Sequence, residues 1–206
     1  MVASSTRAVA LDRGLRLEYL TVGWNIVEGL LSIGLAYFAG SVALLGFGVD
    51  SFVESISGLI LVWRLRTERA KEHADEETIE RIERRAERMI GVSFLILAVY
   101  VTIEAVRTLI SRTEPEASVP GIAILIVSIA VMLWLARAKR TTADTLQSRA
   151  LHADADQTMA CWRLSMVALL GIALNGILGW WWADPVAAIA IAGLLLLEAH
   201  EAWEGE

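Results

Sequence analysis

The chain has 206 residues, 56% of them hydrophobic, with a mean hydropathy of +0.55, yet 20% are charged and these fall in blocks between long apolar runs. That pattern belongs to an integral membrane protein and leaves little chain for a soluble domain. The single cysteine, Cys161, excludes an internal disulfide, a CxxC redox pair and a cysteine-rich zinc site, and HExxH and Walker-type sequences are absent. With no nucleophile and base, and no cofactor motif, enzymatic activity is not expected, nor is a nucleic-acid partner.

Six runs have the roughly 20 apolar residues that a helical span needs. They cover about 17–38, 41–63, 89–110, 120–138, 143–178 and 184–203. A membrane barrel would alternate apolar and polar residues in segments of about 10; these runs are continuous, so residues 1–206 are expected to form one all-α, six-helix transmembrane domain. Arg7, Arg13 and Arg16 ahead of the first run, with Ala36 and Ala39 at its end, superficially suit a signal peptide. The run is too long for one, carries Asn25 and Glu28, and is followed by five more spans. Of the eighteen Lys and Arg residues, fifteen fall in the N-terminal segment, in 64–89 and in 137–149, whereas Arg107 and Arg112 lie in the opposite loop and Arg163 within span five. The positive-inside rule then predicts that both termini are cytoplasmic.

Span one holds Asn25 and Glu28 near mid-depth, and Ala39-Gly40-Ser41 is short enough to force an antiparallel hairpin with span two. Span two, GSVALLGFGVDSFVESISGLILVW, contains Asp50 and Glu54. A four-residue step turns a helix by only about 40°, so the two carboxylates face the same way. An ionised group at the centre of a membrane helix costs roughly 2.5–3.5 kcal/mol, so a pair needs a cationic partner. A divalent metal is one such partner. The charged segment after span two carries Glu77 with Arg81 and Glu80 with Arg84, in the Glu-first, four-residue order that supports helical extensions of spans two and three.

Span three has one buried-looking acid, Glu104, and ends in a loop with Glu114, Pro115, Glu116 and Pro120. Span four, GIAILIVSIAVMLWLA, reads as free of ionisable residues. Span five opens with RALHADADQTMACWRL and ends at Trp180, Trp181 and Trp182, which suit the outer interface. Asp184 is expected to cap span six, with Pro185 in its first turn. On a helical wheel Asp154, Gln157 and Cys161 form one stripe of span five, and His152, Asp156 and Arg163 the opposite one.

Gly40-Ser41-Val42-Ala43-Leu44-Leu45 followed by Asp50xxxGlu54 resembles helix two of the cation diffusion facilitators, a family whose helix five supplies a HisxxxAsp pair and whose helix six starts at Asp-Pro, as at Asp184-Pro185. The resemblance runs along essentially the whole chain. Two registers are open in helix five. Literal spacing gives His152xxxAsp156; counting back from the tryptophans and Asp184-Pro185 puts the pair on Gln157 and Cys161, with Ala153-Asp154-Ala155 on a stretch often found ahead of it. The second register accounts for more of the string and is preferred. The resemblance then implies a metal site of Asp50, Glu54, Asp154, Gln157 and Cys161, without imidazole. Two hard carboxylates with a soft thiolate suit zinc or cadmium better than magnesium or calcium.

The resemblance further implies a zinc exporter, or exporter of cadmium or another divalent metal, that moves its ion from the cytoplasm across the cell membrane in exchange for protons. Relatives usually carry a cytoplasmic C-terminal domain that supports a homodimer; a homodimer is expected here too, with the chain a short form ending near the end of span six. One alternative is a membrane metal-binding or sensing protein that does not transport. Another is a scaffold whose buried acids pair with Arg163, which can also neutralise Asp156 or Glu28. His73 with Asp75 and Glu77, and His200 with Glu204, have ligand spacings but read better as a solvated helix and a frayed acidic tail.

Overall fold

The computed structural model describes residues 2–70, 76–116 and 118–204, with side chains placed for 8–67, 91–116, 118–148 and 150–200. Six helices occupy it: α1 (Val2–Ala39), α2 (Val42–Ala70), α3 (Glu76–Ser111), α4 (Val119–Leu146), α5 (Arg149–Leu178) and α6 (Ala183–Glu204). Each contains a stretch long and apolar enough to cross a bilayer, and no strand occurs among the described residues. The protein is a multi-pass integral membrane protein of the all-α class. In lipid every backbone N–H and C=O must find its partner within the chain, which continuous helices achieve.

Turn chemistry sets the helix ends. Gly40, at φ 65°, reverses the chain between α1 and α2 in the left-handed region open to glycine. Ser118 caps α4, its Oγ accepting from the Gly121 N–H at 3.0 Å, with Pro120 in the first turn. α4 stops at Gln147, also left-handed, and Ser148 caps α5 by accepting from the Leu151 N–H. α4 therefore runs eight residues beyond the expected end at 138. Thr141 and Thr142 do not break it, because each hydroxyl donates to the carbonyl one turn back. This corrects the reading of span four as free of ionisable groups: Lys139 lies inside it, fully buried, while Arg137 and Arg140 beside it point outward.

α1, α2, α4 and α5 enclose a common interior, and α3 pairs with α6 alongside them. α1 and α2 cross almost backbone to backbone: a Cβ on Gly29 would stand 3.0 Å from the Gly48 carbonyl oxygen and 2.8 Å from the Phe52 ring. Apolar layers around Leu44, Phe47, Leu125 and Ile191 at one end, and Leu15, Leu65, Leu146 and Leu151 at the other, bracket the interior. Outward faces carry exposed Leu20, Ile96, Ile103 and Leu197, as a lipid-facing surface should. Trp180 and Trp182 stack at 5.1 Å at one end of the bundle. Glu104 is only partly buried and pairs with Arg107 at 3.5 Å, so it does not belong to the interior.

The end of the bundle bearing the Gly40 turn is knotted by polar contacts. Asp184, 1% exposed, accepts from Ser41 Oγ at 2.5 Å and from the Val42 N–H at 3.0 Å. Ser41 Oγ in turn accepts from the Leu44 N–H. The carboxylate thus satisfies the N-terminus of α2 across helices, rather than capping its own helix α6 as the sequence led one to expect. The 112–118 loop joins the knot, with Glu116 N–H donating to Ala39 and Asn175 Nδ2 to the Pro115 carbonyl at 2.7 Å.

Asp184→Ala should lower stability by about 2–3 kcal/mol, read as a fall in melting temperature in detergent, because it strands two buried donors. Ser41→Ala, which leaves the Val42 N–H its acceptor, should cost less. Equal melting temperatures for Asp184→Ala and the parent would show that the knot contributes nothing.

Candidate metal site

The four-helix interior is polar where the outside is apolar. α1 contributes Glu18, Thr21, Asn25, Glu28 and Ser32, all fully buried and on one helical face. α2 adds Asp50, Ser51, Glu54 and Ser55; α5 adds Asp154, Thr158, Cys161 and Ser165. At 1.5 Å per residue Asp50 and Glu54 lie about 12 and 18 Å from the start of α2, within the hydrocarbon depth of a bilayer.

Asp50 and Glu54 are 4% and 2% exposed and face α5. Cys161 Sγ donates to Asp50 Oδ2 at 3.1 Å. Neither oxygen of Glu54 has a hydrogen-bond partner, a condition that a buried carboxyl group sustains only with a proton of its own or with a cation or water in the space beside it. That space exists. A cavity of about 10 Å³, bordered by Asp50, Glu54, Gln157, Cys161, Phe94 and Glu198, is close to the volume of one water-sized sphere. Gln157 presents its amide there while its Oε1 accepts from Ser57 Oγ at 2.9 Å. Among the described residues no three His, Cys, Asp or Glu side chains are gathered closely enough to hold a metal ion, so the donors stand around the cavity as separate groups.

Asp154 sits elsewhere. Lys139 Nζ donates to it, to Glu18 Oε2 at 3.2 Å and to Thr158 Oγ1 at 3.2 Å, with the ammonium and both acids nearly or wholly withdrawn from solvent. About two turns of α5 separate Asp154 of this ion triad from Cys161. The sequence stripe of Asp154, Gln157 and Cys161 is real, but its first member is held by a cation rather than by the cavity.

The alternative register points away. His152 Nε2 lies 3.1 Å from Asp144, and the exposed Asp156 pairs with Arg140, so neither turns toward α2. Arg163 is exposed on the outside of the bundle, which corrects its assignment as the partner of the buried acids or of Asp156. Lys139 takes the first role and Arg140 the second. His73 and Asp75 and the side chains of Glu77 and Glu204 lie outside the described residues, and His200 is exposed.

Three residues escaped the sequence reading, Glu18 of the ion triad among them. Glu198 approaches from α6, whose run LLLLEAH gives no sign of which face is inward. Lys139 had a signal: Ser128, Met132, Leu135, Lys139, Thr142 and Leu146 follow helical spacing and are all buried.

Replacing Lys139 with Met should destabilise the protein by about 3–5 kcal/mol, since two buried carboxylates lose their counter-charge. Neutralising those acids in the same chain, by Glu18→Gln with Asp154→Asn, should recover most of the loss in a thermal-unfolding assay. If the triple variant melts no higher than Lys139→Met, the ammonium acts through packing and not through charge.

Residues 20–204 match the family model of the cation efflux transmembrane domain. The chain is 27% identical over 175 residues to an uncharacterized transporter of Synechocystis, covering 84% of this chain and 56% of the relative. It is 27% identical over 198 residues to a cadmium, cobalt and zinc/H(+)-K(+) antiporter of Bacillus subtilis, covering 92% and 61%. It is 28% identical over 160 residues to transmembrane protein 163 of Xenopus laevis, covering 75% and 55%. The chain thus spans between about half and three-fifths of the length of these relatives.

Proposed function

The chain belongs to the cation efflux family, and from that premise we propose that it carries divalent transition-metal ions, zinc foremost and cadmium as a close second, out of the cytoplasm in exchange for protons. The observation that carries this reading is the small cavity between Asp50, Glu54 and Cys161, deep in the bundle and beside a carboxylate with no partner of its own. Two carboxylates and a thiol form a mixed hard and soft set that suits zinc and cadmium. The relatives from two Bacillus species named as cadmium, cobalt and zinc/H(+)-K(+) antiporters support the same substrate class.

Mechanism follows from the donors. A metal ion binds carboxylates and a thiol only once their protons have left, so ion and protons compete for the same atoms. Protons arriving from the far side displace the ion, and an ion arriving from the cytoplasm displaces protons. With Gln157 where the family places a histidine, the exchange runs through oxygen and sulfur alone. Phe94 and Glu198, from α3 and α6, border the cavity, so movement of that helix pair against the other four opens and closes access to it. The protein works as a homodimer.

The test is zinc uptake into proteoliposomes under an imposed pH gradient, followed with an enclosed zinc-sensitive dye. The parent chain should take up zinc, and Asp50→Asn or Glu54→Gln should slow uptake by about tenfold or more. Cys161→Ala should weaken cadmium more than zinc, because the softer ion loses more with the thiolate. Saturable zinc binding without flux under any gradient would replace the transporter with a membrane metal-binding protein.

A further inference from the structure

The arginine-rich end of the α1–α2 pair holds a pocket that the metal site does not use. Asp12, Leu15, Arg16 and Tyr19 of α1 and Arg66 of α2 line an open cavity of about 260 Å³. The cavity beside Asp50 and Cys161 measures about 10 Å³, so this one admits a polyatomic ligand rather than a bare ion. The Arg66 guanidinium lies over the Tyr19 ring, 5.3 Å from its centroid, and ties the two helices together at this level. Further along the same antiparallel pair a Cβ on Gly58 would stand 2.8 Å from Val22, so the helices stay in contact beyond the pocket.

Its chemistry is that of an anion site. Two guanidinium groups stand against the one carboxylate of Asp12, and arginine stays charged at any physiological pH, so the lining carries an excess of one positive charge. Among the described residues neither Arg16 nor Arg66 forms an ion pair with an acid. Stacking on Tyr19 engages the face of the Arg66 guanidinium and leaves the N–H donors along its edge available. That edge matches the oxygens of a phosphate, and the Tyr19 hydroxyl adds a donor beside it.

The surroundings decide which phosphate. From Tyr19 and Arg66 toward the bilayer interior, α1 exposes Gly23 and Ile26 and α2 exposes Trp63 and Leu59, at roughly 4–11 Å along the helices. A soluble anion gains nothing from such a surface, whereas acyl chains gain by covering it. Tyr19 and Trp63 are also the residue types that settle at headgroup level. We propose that this pocket holds the phosphate of an anionic phospholipid between Arg16 and Arg66, in the leaflet on the arginine-rich side, with its acyl chains against Ile26, Leu59 and Trp63. A headgroup of single negative charge neutralises the pocket, but a zwitterionic one brings an ammonium of its own beside the two arginines. The bound lipid bridges α1 and α2. The site stands independently of the export reading.

The experiment is native mass spectrometry of the full chain in uncharged detergent, stripped of lipid and offered equal amounts of phosphatidylglycerol and phosphatidylcholine with the same acyl chains. One phosphatidylglycerol per chain should be retained, about tenfold more tightly than phosphatidylcholine. Arg16→Gln with Arg66→Gln should weaken that retention by about tenfold or more, and Arg16→Gln alone by a few-fold. Arg137→Gln, which removes an exposed cation from the same end of α4, should leave it within about twofold. Arg16 is exposed, so its single variant keeps the test available should the double variant not fold. Equal retention of the two lipids by the parent overturns the inference, as does undiminished retention in both pocket variants, or a loss in Arg137→Gln equal to that in Arg16→Gln. Inorganic phosphate that displaces phosphatidylglycerol at equal concentration assigns the pocket to a free anion and overturns the lipid.

Discussion

One buried ammonium organises the charge inside this bundle. Glu18, Glu28, Asp50, Glu54 and Asp154 are all withdrawn from solvent in the four-helix interior, and Lys139 is the buried cation there among the described residues. Its three bonds tie α1, α4 and α5 together at one level and commit it to Glu18 and Asp154. Glu54 and Asp50 are left without a bonded cation, and the Glu54 oxygens without any partner. In a low-dielectric medium an uncompensated carboxylate is costly enough to hold a cation or a proton strongly. The triad therefore neutralises its own level of the interior, its ammonium bonded to Glu18 and Asp154 rather than to the acids that border the cavity.

The other end of the bundle is fixed by a different device. Asp184 bonds the first turn of α2 from α6, so the two helices bordering the cavity on either side share one anchor about 12 Å from Asp50. From this knot α6 runs on to Glu198, which meets the cavity together with Phe94 of α3. Shear between α1 and α2 is opposed by the glycine crossing at Gly29 and Gly48, where neither backbone can slide without steric contact.

Continuous apolar runs made the six helices and their class readable, because membrane helices advertise themselves by length and hydropathy alone. The pairing of Asp50 with Glu54 on one face followed from the helical period. The two ends of the family pattern, Gly40-Ser41 and Asp184-Pro185, were legible as separate strings, but nothing in either says that Ser41 donates to Asp184. That contact spans 143 residues and exists only once the helices pack. Lys139 was hidden for a different reason. Hydropathy marks it as the end of a span, whereas the stop chemistry lies at Gln147-Ser148, and only the wheel position after Ser128 and Leu135 betrays an inward lysine. Asp154 was misplaced as a consequence, since its stripe is shared with Cys161 but its partner was invisible. Glu198 was unreadable because α6 is apolar all round, so no amphipathic pattern orients it.

The interior separates two kinds of donor that would otherwise compete. Along α5 the sequence sets Asp154 on an ammonium, Cys161 on Asp50 and Ser165 on Ser128, at steps of seven and four residues, so one face meets three different electrostatic settings in succession. Sulfur appears only in the middle one. A soft divalent ion would gain from the thiolate there and would find nothing equivalent beside Glu28 or Lys139. The donor character of the cavity thus follows from where the cysteine sulfur lies, and from the ammonium that removes Asp154 from the count of donors.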